Sequence, residues 1–260
     1  MPFWMGASAC APLLVLAAAQ AVQGHAPAAL RAACAVELIH AYSLVHDDMP
    51  CMDNDVLRRG KPTVHIAFGQ AQALLAGDAL QAQAFELLTP AGDEVPAAMQ
   101  AHYCRILAHA AGAQGMAGGQ AIDLASVGKQ LNREQLQHMH RLKTGALLQA
   151  SVCMGVACGA ASSAVRLALG HFGTVVGLAF QVVDDILDVV ADSATLGKTA
   201  GKDAVHDKPT YVSLLGLQAA KDYAQQLHQE ALQALHASGL GEVQTARLRA
   251  LADMVVQRSN

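Results

Sequence analysis

The sequence has little excess charge of either sign. Its 17 lysine and arginine residues face 21 aspartate and glutamate residues, which gives a formal net charge of -4. The basic residues are scattered along the chain, whereas a protein that binds nucleic acid through charge carries a basic patch or stripe. We therefore expect no nucleic acid partner.

The sequence also lacks a CxxC pair among its six cysteines. This absence excludes the usual spacing of zinc ligands and gives no framework for disulfide bonds. Cysteines within apolar helical sequence behave as small, reduced hydrophobic residues. We therefore expect a cytoplasmic protein.

No lysine or arginine precedes Arg31, although an apolar run, PLLVLAAAQAVQG, starts at Pro12. A secretory signal needs a positively charged region before its apolar run. The run is also too short to span a bilayer. It predicts a core helix, and we expect no membrane span.

No strand-turn-strand signal stands out, and no Pro/Gly/Ser linker divides the chain. Alanine and leucine recur at helical spacing, and 53% of the residues are hydrophobic, so we predict one all-α domain over residues 1–260. Predicted helices cover residues 9–22, 27–48, 67–88, 95–113, 133–159, 163–190, 209–236 and 241–258. Predicted loops cover residues 24–27, 50–62, 89–96, 115–129, 159–163 and 193–209.

Two aspartate clusters interrupt this apolar sequence. Buried carboxylates are costly unless they are neutral, reach water or bind a hard cation. Mg²⁺ prefers a few carboxylates together with substrate phosphates, and arginine binds phosphate oxygens bidentately. The first aspartate motif is Asp47, Asp48 and Asp53, followed by Arg58 and Arg59; the second aspartate motif is Asp184, Asp185 and Asp188.

Their spacing indicates how these carboxylates could converge. Asp184 and Asp188 are one helical turn apart and share a face. Pro50 breaks the helix after Asp47, so a local bulge could return Asp53 toward it. A single aspartate pair could merely cap a helix or face water, but two clusters with nearby arginines predict a metal-bridged diphosphate site.

These motifs, together with GGQAID, KTGALLQAS and TLGKTAGKDAVHDKPTY, resemble the trans-isoprenyl diphosphate synthases, most closely the bacterial farnesyl diphosphate synthases. The resemblance runs from about residue 12 onward. It implies an isoprenoid-synthase-type helical bundle around a deep central cavity, three Mg²⁺ ions and a homodimer. It further implies Mg²⁺-dependent condensation of isopentenyl diphosphate with dimethylallyl or geranyl diphosphate to give farnesyl diphosphate.

The resemblance also assigns roles to residues. Asp47, Asp53 and Asp184 correspond to metal ligands, with Asp48, Asp185 and Asp188 in support. Arg58, Lys143 and Lys198 would hold the allylic diphosphate, and Lys208 and Asp123 would support the metal and phosphate groups. Thr144 and Gln181 would flank the allylic carbon, and His40 and Arg59 would contact isopentenyl diphosphate. Tyr42 and Ser43, one turn before the first aspartate motif, would form the floor of the product cavity.

The N-terminal part departs from this family. Family members have further helices upstream and then a basic element, where this sequence has Gly6 to Pro12. Ser8 replaces a lysine and Ala11 an arginine, which predicts a weaker site for isopentenyl diphosphate. The alternative is a weak or inactive homologue that acts as a structural subunit of a synthase dimer.

Two further classes fit the sequence less well. A terpene cyclase would carry an Asn/Ser/Glu metal motif in place of the second aspartate motif. Glu37 and His40 form an ExxH pair, which suggests a ferritin-like di-metal bundle, but that class needs a second such pair.

Overall fold

The computed structural model describes residues 7–190 and 209–257, with side chains from residue 10 onward. Most of this part of the chain is helical. The helices are α1 (Ala7–Ala21), α2 (Ala26–Asp47), α3 (Val64–Phe68), α4 (Gln70–Leu88), α5 (Ala97–Ala111), α6 (Met116–Ala125), α7 (Arg133–His140), α8 (Ala146–Ala157), α9 (Ser163–Val190), α10 (Tyr211–Leu215), α11 (Leu217–Ala237) and α12 (Glu242–Gln257).

The helices pack on one another in the order α4, α2, α1, α8, α9 and α11, and α12 covers α1 and α11. One continuous hydrophobic core runs through them and is rich in alanine in α1 and α2. Small side chains allow these helices to approach closely. The long helix α9 presents Leu169, Phe172, Val176 and Ile186 to this core. The all-α expectation is confirmed.

Helix α2 is long and apolar enough to cross a membrane by length and composition alone, with a mean hydropathy of 1.4. In the fold it packs between α1 and α4, and it buries Ala32, Val36 and Ile39 completely. Helix α1, which contains the apolar run noted above, buries Leu14 and Val15 in the same core. Both helices therefore serve as core helices of the bundle.

The segment 115–129, predicted as a loop, contains helix α6. Its glycines lower helix propensity, which misled the prediction. Gly119 is needed for packing, because a Cβ atom there would lie 2.1 Å from the backbone nitrogen of Lys143. The glycine therefore lets α6 approach the chain around Lys143.

Three further departures are local. A short hairpin, β1 (Leu57–Arg58) and β2 (Lys61–Pro62), pairs antiparallel within the predicted loop 50–62. A π-helical segment, Arg141–Gly145, separates α7 from α8, where one helix was predicted. Gly216, with φ of 82°, separates α10 from α11, because this positive φ is open to glycine but strained for other residues.

The stretch Gly6 to Pro12 is helical from Ala7 onward. Ala11, which stands where the resemblance places an arginine, is buried in the core. A charged side chain would not fit there without a large desolvation penalty. The counterpart of the family's basic element is thus part of a core helix in this protein.

Candidate active site

The first aspartate motif lies at the C-terminal end of α2. The backbone N–H of Asp53 donates to the carbonyl oxygen of Asp47 (2.9 Å), and that of Asp55 donates to Asp48 (3.1 Å). Asn54 takes a positive φ of 53°, which asparagine tolerates better than most residues. The chain therefore forms the bulge after the helix and returns Asp53 toward Asp47.

The carboxylate of Asp47 lies among two other carboxylates and two cations. Burial, the largest cause, together with the carboxylates of Asp53 and Asp48, raises the pKa of Asp47 to about 6 against the opposing charges of Lys143 and Arg58. The fold thus disfavours the charged form of this carboxylate, a cost that a bound cation would offset. Lys143, from the π-helical segment, is close enough to act on the carboxylate of Asp47, so the two regions share one site.

Arg58, on β1, is bound to Asp48. Its Nε lies 2.9 Å from each carboxylate oxygen of Asp48, and one terminal nitrogen lies 2.6 Å from Oδ1. Asp48 is only 3% exposed, and such charge-assisted contacts are strong. Arg58 is therefore held at the first aspartate motif, and Asp48 neutralises a guanidinium there.

Lys143 pairs with the buried carboxylate of Asp123 on α6, with 2.5 Å between Nζ and Oδ2. Gly119 makes this contact possible, since it lets α6 reach the π-helical segment. Short π-helical segments occur often at functional sites. The pair fixes a cation beside the first aspartate motif.

The second aspartate motif lies near the C-terminal end of α9. Asp184 and Asp188 are both half-buried, whereas Asp185 is buried. Asp185 accepts hydrogen bonds from the Gln181 side chain (2.9 Å) and from the backbone N–H of Tyr211 (2.7 Å). Asp185 thus differs from Asp184 and Asp188 in its burial, and these two hydrogen bonds hold its carboxylate in place.

Thr144 lies beside the second aspartate motif. Its hydroxyl donates to the Gln181 carbonyl oxygen at 3.0 Å. The structure therefore brings together Thr144 and Gln181, the two residues expected to flank the allylic carbon. Lys198 and Lys208 lie outside the described residues.

His40, on α2, has a buried ring nitrogen, Nε2, without a hydrogen-bond partner in the described part of the chain. Burial, followed by the charges of Arg59 and Arg58, lowers the pKa of His40 to about 4. The ring is therefore neutral at neutral pH. A buried polar atom without a partner is costly, so His40 Nε2 is suited to a ligand contact near the arginines.

Tyr42 forms part of the contact between α2 and α4. It is 8% exposed, packs edge-on against His46 with ring centroids 5.7 Å apart, and lies near the Gln81 side chain. The Ser43 hydroxyl donates to the backbone oxygen of His40 (2.8 Å). Tyr42 is therefore held in a packed position one helical turn before the first aspartate motif.

Two candidate site residues, Gln120 and His140, were not predicted from the sequence. Both polar atoms of the Gln120 amide, and both ring nitrogens of His140, are buried without a hydrogen-bond partner in the part of the chain that the structure describes. Gln120 belongs to GGQAID, so the motif was a usable signal. His140 stacks on the Tyr211 ring (5.6 Å between centroids) and lies three residues before Lys143.

The donor chemistry of the site fits Mg²⁺. Within residues 7–190 and 209–257, no three His, Cys, Asp or Glu side chains are grouped closely enough to enclose a metal ion. The first aspartate motif instead offers carboxylates, among them that of Asp47, whose charged form is disfavoured by burial. Mg²⁺ commonly binds through one or two carboxylates and completes its shell with water and substrate phosphate, which this arrangement allows.

A sequence model of the polyprenyl synthetases matches residues 6–246. This chain belongs to the polyprenyl synthetase family. Among curated relatives, the chain is 50% identical over 230 residues to a probable farnesyl diphosphate synthase of Bradyrhizobium diazoefficiens, covering 87% of this chain and 67% of that protein. It is 54% identical over 205 residues to a probable farnesyl diphosphate synthase of Sinorhizobium fredii, covering 77% and 61%.

A solved structure agrees with this polyprenyl synthetase fold. The geranyltransferase of Helicobacter pylori, complexed with magnesium and isoprenyl diphosphate, superimposes with a TM-score of 0.86 at 35% identity, covering 99% of this chain and 89% of that one. The expected isoprenoid-synthase-type fold is therefore confirmed. The chain spans roughly two thirds of the two curated relatives.

Proposed function

We propose that this polyprenyl synthetase condenses isopentenyl diphosphate with dimethylallyl or geranyl diphosphate and forms farnesyl diphosphate in a Mg²⁺-dependent reaction. The observation that carries the proposal is the convergence of Lys143 on the carboxylate of Asp47 in the first aspartate motif. That arrangement suits a diphosphate bound between metal ions and a lysine. The named relatives support the same chemistry.

The chain's own residues bind and orient the diphosphate. Lys143 and Arg58 are held beside the first aspartate motif by Asp123 and Asp48, so their charges are in place before substrate binds. When bound, Mg²⁺ would neutralise charge that develops on the departing pyrophosphate. Asp47, Asp53 and Asp184 would hold the metal, with Asp188 in support, and the resemblance predicts three ions.

The hydroxyl of Thr144 and the amide oxygen of Gln181 place negative dipole ends beside each other, an arrangement that favours positive charge on an allylic carbon. His40 and Arg59 would bind isopentenyl diphosphate, with the neutral imidazole using its unpaired nitrogen. Exclusion of water from the site when substrate is bound would protect a carbocation.

We also propose a cytoplasmic homodimer. Helix α4 and the end of α3 expose large apolar side chains, with Phe68 70%, Leu75 65% and Leu74 48% exposed. Such a group of exposed apolar residues is typical of an interaction surface. A second copy of the chain would cover it.

We expect Tyr42→Ala to lengthen the product beyond fifteen carbons, because the aromatic ring that closes the cavity floor is removed. Product sizing after incubation with excess isopentenyl diphosphate measures this change. Leu30→Ala is the control, since it shortens an exposed apolar side chain on the same helix, about three turns before Tyr42. An unchanged product distribution in Tyr42→Ala would make Tyr42 an ordinary packed aromatic.

The proposed activity is tested with labelled isopentenyl diphosphate and either dimethylallyl or geranyl diphosphate, with and without Mg²⁺. We expect a fifteen-carbon product that disappears when EDTA removes the metal. Metal-dependent binding of the allylic diphosphate without any product would instead support the alternative of a non-catalytic subunit. Absence of both binding and product would contradict the proposal.

A further inference from the structure

Both ends of the Gln181 amide are engaged. Its Nε2 donates to Oδ1 of Asp185, one helical turn later on α9, at 2.9 Å. Its Oε1 accepts the hydroxyl proton of Thr144 at 3.0 Å. The amide therefore links the π-helical segment to a buried carboxylate.

The groups beyond the amide determine its orientation. Oδ2 of Asp185 accepts from the backbone N–H of Tyr211 at 2.7 Å, and a backbone N–H can only donate. Oδ1 of the same carboxylate accepts from the amide nitrogen at 2.9 Å, so the NH₂ group of Gln181 faces Asp185. Its carbonyl oxygen is consequently directed to Thr144.

The orientation continues into the Thr144 hydroxyl. A hydroxyl has one proton, and Thr144 gives that proton to Gln181. Only lone pairs of Thr144 are then left for another neighbour. Two adjacent oxygens, from Thr144 and Gln181, thus offer negative charge density at the same place.

We propose that Asp185 is a positioning residue that fixes the amide of Gln181 with its carbonyl oxygen, and not its NH₂ group, toward the reacting allylic carbon. This inference rests on the proposed prenyltransferase function. It leaves the metal of the second aspartate motif to Asp184 and Asp188, which are half-buried, whereas Asp185 is 2% exposed. Asp185 would act on the cation through Gln181 and Thr144.

The test begins with Asp185→Asn. The N–H of Tyr211 requires an oxygen opposite it, so the new amide must turn its NH₂ group to Gln181. The Gln181 amide must then rotate and present its own NH₂ group to Thr144. We expect kcat to fall by about 10²-fold, the size of effect seen when one electrostatic contact to a transition state is lost.

The same variant separates positioning from metal binding. We expect its KM values for both diphosphates, and the Mg²⁺ concentration that gives half-maximal rate, to stay within about twofold of wild type, because binding energy is unchanged while transition-state stabilisation is lost. Asp184→Asn is the comparison, and its Mg²⁺ requirement should rise. A rise of the same size in Asp185→Asn would overturn the proposal.

Exchanging the carboxylate of Asp185 and the amide of Gln181 should restore part of the activity lost in Asp185→Asn. In Asp185→Asn with Gln181→Glu, the new carboxylate accepts from Asn and keeps an oxygen toward Thr144. We expect kcat to recover about tenfold relative to Asp185→Asn. Gln181→Glu alone places two carboxylates together and should lower Tm, and the double variant should regain that loss. A double variant no better than either single variant in kcat and Tm would contradict the proposed orientation.

The Tm measurements need no turnover. If the wild type forms no product but the exchange restores Tm, the proposed function fails and the assigned orientation of Gln181 stands. If the wild type forms farnesyl diphosphate but the exchange restores neither Tm nor kcat, the function stands and the role of Asp185 is wrong.

Discussion

Asp47→Asn is expected to lower kcat/KM for farnesyl diphosphate formation by about 10³-fold. Asparagine keeps the size and one oxygen of the side chain but removes the charge that attracts a divalent cation. Loss of several kcal/mol of transition-state stabilisation corresponds to this factor, at about 1.4 kcal/mol for each tenfold change. Steady-state kinetics over a range of Mg²⁺ concentrations measures the effect.

The stability of Asp47→Asn distinguishes a lost metal ligand from a damaged fold. Burial raises the pKa of Asp47 to about 6, so the fold disfavours its charged form, and the neutral amide should not lower Tm. Asp93→Asn, which is exposed between α4 and α5, is the matched control and should keep wild-type kinetics. Wild-type Mg²⁺ dependence in Asp47→Asn would remove this residue from the metal site.

Lys143→Met is expected to lower kcat by about 10²-fold and to raise the KM for the allylic diphosphate, because the cation beside the leaving group is lost. Asp123, which is buried, also loses the partner that lies 2.5 Å away, so Tm should fall. Removal of one partner from a buried pair leaves an uncompensated charge. Kinetics and thermal unfolding together measure both effects.

Lys143→Arg separates these two effects. It keeps a positive charge near Asp123 and should retain most of the Tm, while the different geometry of guanidinium should restore kcat only in part. Lys129→Met is the control, because Lys129 is exposed shortly after α6 and should change neither quantity. Wild-type kcat in Lys143→Met would show that this lysine serves only to neutralise Asp123.

The helices were predictable where apolar residues recur at helical spacing without interruption. Helix α9, predicted over residues 163–190, has those bounds in the structure. Helix α6 was missed because Gly118 and Gly119 are poor helix formers. The value of Gly119 appears only when α6 packs against Lys143. The π-helical segment was hidden because RLKTG contains no proline and only a terminal glycine, so nothing in it marks a break in the helix.

The backbone course of the first aspartate motif was also predictable from the sequence. Pro50 indicated a broken helix, and the structure returns Asp53 to Asp47 through a backbone hydrogen bond. The metal and substrate roles of the site residues stay predictions. The pairing of Arg58 with Asp48 was not predictable, since it depends on how the hairpin β1–β2 folds back onto α2.

The sequence by itself determined the all-α class, the two aspartate motifs and the family, because these features can be identified from residue type and local spacing. Only the tertiary structure decided what each aspartate faces. Asp184 and Asp185 are neighbours in sequence, but a rotation of about 100° per residue on a helix turns Asp185 to Gln181 and Tyr211. Its partner Tyr211 is 26 residues away, and helical periodicity within α9 carries no information about a contact at that distance.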